Sequence, residues 1–125
     1  MSERTTRILI VEDDATLRET LAEVLTDEGH EVRAAGHGHE ALDHLDGWEP
    51  DVIMLDIMMP TMDAYGFRER QQALGLALAA RMVLVSASRD IEAAAERLDA
   101  AAWITKPFLL DEVIDAVERL MPRSA

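Results

Sequence analysis

The stretch Ile8-Leu9-Ile10-Val11-Glu12-Asp13-Asp14 decides the fold. Its apolar residues run without alternation and stop abruptly at acids, the pattern of a strand buried on both faces. Leu17, Leu21, Val24 and Leu25 follow at i, i+4, i+7, i+8 spacing, one face of a helix. Asp14 or Thr16 is placed to cap its start, and Gly29 to end it.

The same alternation continues along the chain. Glu31 to Ala35 reads as a weaker edge strand, with only Val32 and two alanines to bury. Ala41, Leu42 and Leu45 mark a short helix closed by Gly47 and Pro50. Val52-Ile53-Met54-Leu55 is the most apolar strand and stops at Asp56. A third helix is expected from Asp63 to Leu78, with Gly66 and Gly75 blurring its limits. Met82-Val83-Leu84-Val85 forms a fourth strand ending at Ser86, and Ile91 to Leu98 an alanine-rich helix. A short strand at Ala102 to Thr105 leads into Lys106-Pro107. Val113, Ile114, Val117, Leu120 and Met121 make the last helical stripe, with Asp111 placed to cap it. Five strands alternating with five helices imply an α/β domain, a doubly wound parallel sheet covered on both faces. The first, third and fourth strands are uniformly apolar and belong at its centre.

Composition narrows the function. The chain has 125 residues, and 25 acidic against 12 basic side chains give a net charge of −13. That length suits one domain spanning residues 1–125, with a structured core over 7–121. The charge argues against direct binding of nucleic acid, whose phosphates would meet the same sign. The absence of cysteine removes disulfides, thiolate metal sites and cysteine nucleophiles. Met1 to Thr6 is polar, unlike a signal peptide, and the apolar stretch Ala73 to Ala87 is too short to span a bilayer and contains Arg81. A cytoplasmic domain with no membrane contact is expected.

Functional side chains close the strands. The first ends at Glu12-Asp13, the third at Asp56, the fourth at Ser86 and the fifth at Lys106. Taken singly, each is an ordinary helix cap, turn or loop residue. Together they occupy the carboxyl ends of parallel strands, where open α/β sheets bind ligands. Crowded carboxylates repel one another and invite a hard divalent cation, and Mg²⁺ fits a site that keeps several waters and a place for phosphate. Zinc is a poor fit without histidine or cysteine in the cluster. An aspartate beside Mg²⁺ and a lysine is equipped to attack a phosphoryl group.

Ile8 to Asp14, Met54-Leu55-Asp56-Ile57-Met58-Met59-Pro60, Val85-Ser86-Ala87 and Lys106-Pro107-Phe108 together resemble the receiver domain of two-component response regulators, of the chemotaxis-regulator type. The likeness covers nearly the whole chain, with the motifs in the family's order and spacing. It implies a flavodoxin-like sheet of strand order 2-1-3-4-5. It further implies that Asp56 accepts a phosphoryl group from a histidine kinase or histidine phosphotransfer protein. On the same resemblance Mg²⁺, for which Mn²⁺ can substitute, is held by Glu12, Asp13, Asp56 and the Met58 backbone carbonyl, Asp13 directly and Glu12 mainly through water. Ser86 and Lys106 contact the transferred phosphoryl group, and Trp103 stands at the switch aromatic, where Tyr or Phe is usual. Phosphorylation then alters the surface of the fourth helix, fifth strand and fifth helix, where an output partner binds.

Some positions depart from the pattern. Ala64 stands where the family usually has glycine, so a positive φ there would strain it. Trp103 is larger than the usual aromatic; it either turns inward with difficulty or simply covers apolar surface. Met58 and Ser88 occupy positions whose side chains modulate dephosphorylation in the family, and a bulky Met58 obstructs an attacking water. His37, His39 and His44 read as solvated loop residues rather than a metal site. A phosphohydrolase with an Asp-x-Asp nucleophile motif would need an acid where Met58 stands. A flavin or nucleotide carrier would need a phosphate loop where the acids stand. A degenerate receiver acting only as a docking module is the remaining alternative. The chain stops soon after its last helix, which implies a stand-alone receiver or one cut from a longer regulator with a separate effector domain.

Overall fold

Ile8, Leu9, Ile10 and Val11 are each no more than 1% exposed, which explains their lack of alternation: both faces of this strand are covered. The computed structural model describes residues 5–121; residues 1–4 of the polar amino-terminal segment and Pro122–Ala125 of the tail lie outside them. The elements in chain order are β1 (Arg7–Val11), α1 (Ala15–Asp27), β2 (Glu31–Ala35), α2 (Gly38–Leu45), β3 (Val52–Leu55), α3 (Ala64–Leu74), β4 (Arg81–Ser86), α4 (Ile91–Arg97), β5 (Ala102–Thr105) and α5 (Leu110–Leu120). All strand pairings are parallel, in the order β2-β1-β3-β4-β5. This is the doubly wound, flavodoxin-like arrangement expected from the sequence, with β2 at an edge and β1, β3 and β4 inside.

Strand periodicity divides the core in two. Leu9, Val11, Ile53, Leu55, Met82 and Leu84 face α2, α3 and α4, packing on Leu42, Phe67 and Ala95. Ile8, Ile10, Val52, Met54, Val83 and Val85 point the other way, onto Leu21 and Leu25 of α1 and Val113 and Val117 of α5. Phe67 and Val113 are fully buried, and each such side chain stabilises the fold by about 1.5–3 kcal/mol. Among the described residues no helix is long and apolar enough to cross a membrane.

Several boundaries differ from the sequence reading. Asp14, not Thr16, caps α1, its carboxylate accepting from the Leu17 N–H at 3.0 Å. The third helix stops at Leu74, not Leu78, because Gly75 takes a left-handed φ of 67° there. Leu109, not Asp111, stands at the α5 N-cap, with its N–H donating to the Glu112 carboxylate at 3.0 Å. Ala64 opens α3 and escapes the strain considered for it; the positive φ of this loop falls on Thr61, at 65°. His37 ends the β2–α2 loop as the N-cap of α2, whereas His39 and His44 lie on the helix itself.

Candidate functional site

The sheet register sets which side chains meet. Val11 pairs with Leu55, and Leu55 with Leu84, so Glu12 and Asp56 both emerge one residue past the ladder at the same level. Ser86 pairs with Thr105, which brings Lys106 over from β5. The Lys106 N–H donates to the Ser86 carbonyl at 2.9 Å, fixing the origin of the lysine side chain.

Lys106 Nζ then donates to Glu12 Oε1 and to Asp56 Oδ2, each at 2.8 Å. The remaining carboxylate oxygens are also held. Glu12 Oε2 accepts from the Asp14 N–H at 3.1 Å, and Asp56 Oδ1 from the Met58 N–H at 3.0 Å. Glu12 and Asp56 are buried, whereas Asp13 is exposed. One carboxylate oxygen from each of Glu12, Asp13 and Asp56 lies within 4.8 Å of the others. Three carboxylates and one ammonium leave this crevice with a formal charge of −2.

Burial pushes the Glu12 carboxyl above its ordinary value despite the hydrogen bonds from Lys106 and Asp14 that favour its charged form. Burial alone would lower Lys106, but its hydrogen bonds to Asp56 and Glu12 and their charges more than offset this, so its pKa rises. The lysine is therefore held charged throughout the neutral range.

The other predicted residues lie nearby in different roles. Ser86 is 2% exposed, and its Oγ accepts from the Ser88 N–H at 3.3 Å. The Met58 side chain is 70% exposed at the rim, while its backbone turns in toward Asp56. Trp103 lies on β5 and is 46% exposed, so in this conformation the ring sits on the surface rather than inside. The sequence reading missed Arg18, whose Nη1 donates to the Glu12 carbonyl at 2.8 Å. Its place one turn after the Asp14 cap was the available signal: an arginine there can turn back onto the strand end.

The donor set fits a hard divalent cation. All its side-chain ligand atoms are carboxylate oxygens, the net charge opposes that of the ion, and the exposed Asp13 leaves water access.

A doubly wound sheet with a lysine-paired acidic crevice at its carboxyl edge defines a class of α/β domains that bind at the strand ends. Residues 8–118 match the family model for the response regulator receiver domain, and the chain belongs to that family of signalling domains. It is 36% identical over 119 residues to the transcriptional regulatory protein PdtaR of Mycobacterium tuberculosis, covering 94% of this chain and 57% of that protein. It is also 36% identical over 121 residues to the response regulator MprA of Mycolicibacterium vanbaalenii, covering 94% and 51% respectively. The chain thus spans about half the length of these curated relatives. Among solved structures, a CheY-like receiver domain protein from Methanospirillum hungatei superposes with a TM-score of 0.82 at 25% identity, covering 94% of each chain. The response regulator TrrA of Thermotoga maritima, solved in complex with Mg²⁺-BeF, gives 0.80 at 29% identity, covering 94% of this chain and 100% of that one.

Proposed function

We propose that this chain is a phosphoacceptor module of a two-component phosphorelay, a receiver domain over residues 1–125, and that Asp56 takes the phosphoryl group. The observation that carries this reading is the Lys106 ammonium shared at 2.8 Å between Asp56 and Glu12, in a crevice that retains two negative charges. The donor is a phosphohistidine of a histidine kinase or phosphotransfer protein. Asp56 Oδ attacks phosphorus, the O–P bond forms as the P–N bond breaks, and the imidazole leaves with the electron pair of that bond.

Asp13, Asp56 and the Met58 backbone carbonyl would hold Mg²⁺, with Glu12 acting through water and keeping its hydrogen bonds from Lys106 and the Asp14 N–H. Bound there, the cation would offset charge on the phosphoryl oxygens. The protein's own groups do the rest. The Met58 N–H fixes the Asp56 carboxylate, and Lys106 leaves Asp56 Oδ2 to contact a phosphoryl oxygen. Ser86, at the end of β4, supplies a hydroxyl to the same group once its loop shifts. The phosphorylated residue carries about −1.5 to −2 charges and further acceptor oxygens, which favour that shifted state. Movement of Ser86 opens room for Trp103 to turn inward, altering the α4–β5–α5 surface for an output partner or effector domain. We place this exchange in the cytoplasm, with protein rather than nucleic acid or membrane as the direct partner.

Intact-protein mass after incubation with acetyl phosphate tests the reading. A single phosphoryl adduct is expected, dependent on Mg²⁺ and absent from Asp56→Asn. An adduct of undiminished yield on Asp56→Asn removes Asp56 as acceptor. If neither acetyl phosphate nor a phosphohistidine protein labels the wild type, the chain acts only as a docking module.

A further inference from the structure

The carbonyls of Glu12 and Asp13 lie past Val11, the last residue of β1, and so beyond the β1 ladder. Arg18, half-buried on α1, turns its guanidinium back to them. Its Nη1 donates to the Glu12 carbonyl at 2.8 Å and reaches the Asp13 carbonyl at 3.5 Å. The guanidinium's seat is bounded by the β2–α2 loop. A Cβ on Gly36 would stand 3.1 Å from Arg18 Nη1 and 3.6 Å from its Cζ, so any side chain there would press on the guanidinium. Gly36 is itself held in place, its N–H donating to Glu40 Oε1 at 2.8 Å. Its φ lies outside the left-handed region, so what a side chain at this position meets is the space taken by the Arg18 tip rather than backbone strain.

We propose that Arg18 is a positioning residue for the acidic site, with Gly36 keeping its seat open; this rests on the reading of Asp13 and Asp56 as Mg²⁺-holding residues. The peptide planes on either side of Asp13 set the direction of its Cα–Cβ bond, from which the exposed carboxylate reaches the cluster. Arg18 pins those planes from α1. The Glu12 N–H to the Ala35 carbonyl (3.0 Å) and the Asp14 N–H to Glu12 Oε2 (3.1 Å) hold the ends of this segment, so loss of the guanidinium loosens the two carbonyls between them and places the Asp13 carboxylate less closely against Asp56.

Charge and position predict opposite signs, which makes the proposal decidable. Removing a cation beside a divalent-cation site strengthens Mg²⁺ binding if Arg18 acts only through its charge. It weakens binding if Arg18 positions the ligand. Calorimetric titration with Mg²⁺ alone, well below the melting temperature, reads this directly. Arg18→Met is expected to weaken Mg²⁺ binding by about tenfold, the lower end for groups that orient metal ligands. Arg18→Lys, which keeps one donor, should recover part of that loss. Gly36→Ala, which keeps the charge but crowds the seat, should weaken binding by about two- to threefold, a smaller effect because the arginine tip can shift. Gly36→Ala and Arg18→Lys also carry the test if Arg18→Met does not fold. Mg²⁺ affinity in Arg18→Met equal to or above wild type, with wild-type binding intact and lost in Asp13→Asn, overturns the positioning role alone. A wild type that takes up no Mg²⁺ overturns the underlying site as well.

Discussion

Replacing Lys106 with Met removes the cation that touches both buried carboxylates. Its two hydrogen bonds are 2.8 Å long, and the Glu12 and Asp56 side chains are only 3% and 9% exposed. Breaking a buried ion pair from one side costs about 3–5 kcal/mol. One feature reduces that here: the Lys106 side chain is itself 22% exposed. A net loss of about 2–3 kcal/mol is expected for metal-free protein at neutral pH. With an unfolding entropy of about 2.1 cal/mol/K per residue, this corresponds to a fall in melting temperature of about 8–12 °C. The crevice charge simultaneously changes from −2 to −3, so Mg²⁺ should bind the variant more tightly and close most of the gap. Thermal unfolding followed by circular dichroism, in EDTA and in saturating Mg²⁺, measures both effects. A fall in EDTA smaller than about 2 °C, or an equal fall in both conditions, would mean that Lys106 does not offset the charge of the two buried carboxylates.

The other expectations concern single groups in the same region. Glu12 has a raised folded-state pKa, so its stabilising contribution is complete below its ordinary value of 4.5 and is lost as pH rises through the folded value. The metal-free stability of wild type relative to Glu12→Gln should therefore decline as pH increases above 4.5, and a difference that grows with pH in urea titrations would contradict the burial argument. Mg²⁺ at about one hundred times its dissociation constant should stabilise wild type by about 2.7 kcal/mol. In Asp13→Ala that gain should largely vanish while the EDTA melting temperature holds or rises, because one repelling carboxylate is gone. Trp103 reports the switch: its emission should shift to the blue when beryllofluoride and Mg²⁺ are added, with Trp103→Phe supplying the Trp48 background. An unchanged spectrum despite a bound analogue would leave Trp103 as a surface cover.

The strands were legible because they are extreme. Ile8–Val11 and Val52–Leu55 are buried on both faces, and runs this short and β-branched, stopping at a carboxylate before a helical pattern, fit strands better than buried helix. Helix ends were less legible because the decisive contacts are not in the pattern. Leu76 and Leu78 extend the apolar run of α3, yet Gly75 turns the chain and the Gln71 amide donates to the Ala77 carbonyl at 3.1 Å, pinning the segment as a loop. Asp111 has the right chemistry for a cap but sits inside α5, and Glu112 reaches back to the Leu109 N–H instead. Arg18 was read past for a related reason. Helical periodicity ranks residues by their apolar face, and a half-buried arginine serving the neighbouring strand end falls outside that ranking.

The site's contacts are almost entirely non-local. Lys106 meets Glu12 across 94 positions of sequence and Asp56 across 50, and the strand pairs β1–β3, β3–β4 and β4–β5 must all be in register for those contacts to exist. A one-residue slip in any of them would turn a functional side chain to the opposite face of the sheet. The acidic cluster consequently has no partial form to which a cation could bind with full strength once the sheet opens. Mg²⁺ should slow hydrogen exchange at Ile10, Met54 and Val83, three buried sheet residues, by the same factor by which it raises global stability. Protection confined to the Asp56–Asp63 loop would instead mean that the cation orders only that loop and that the site is not tied to the sheet's register.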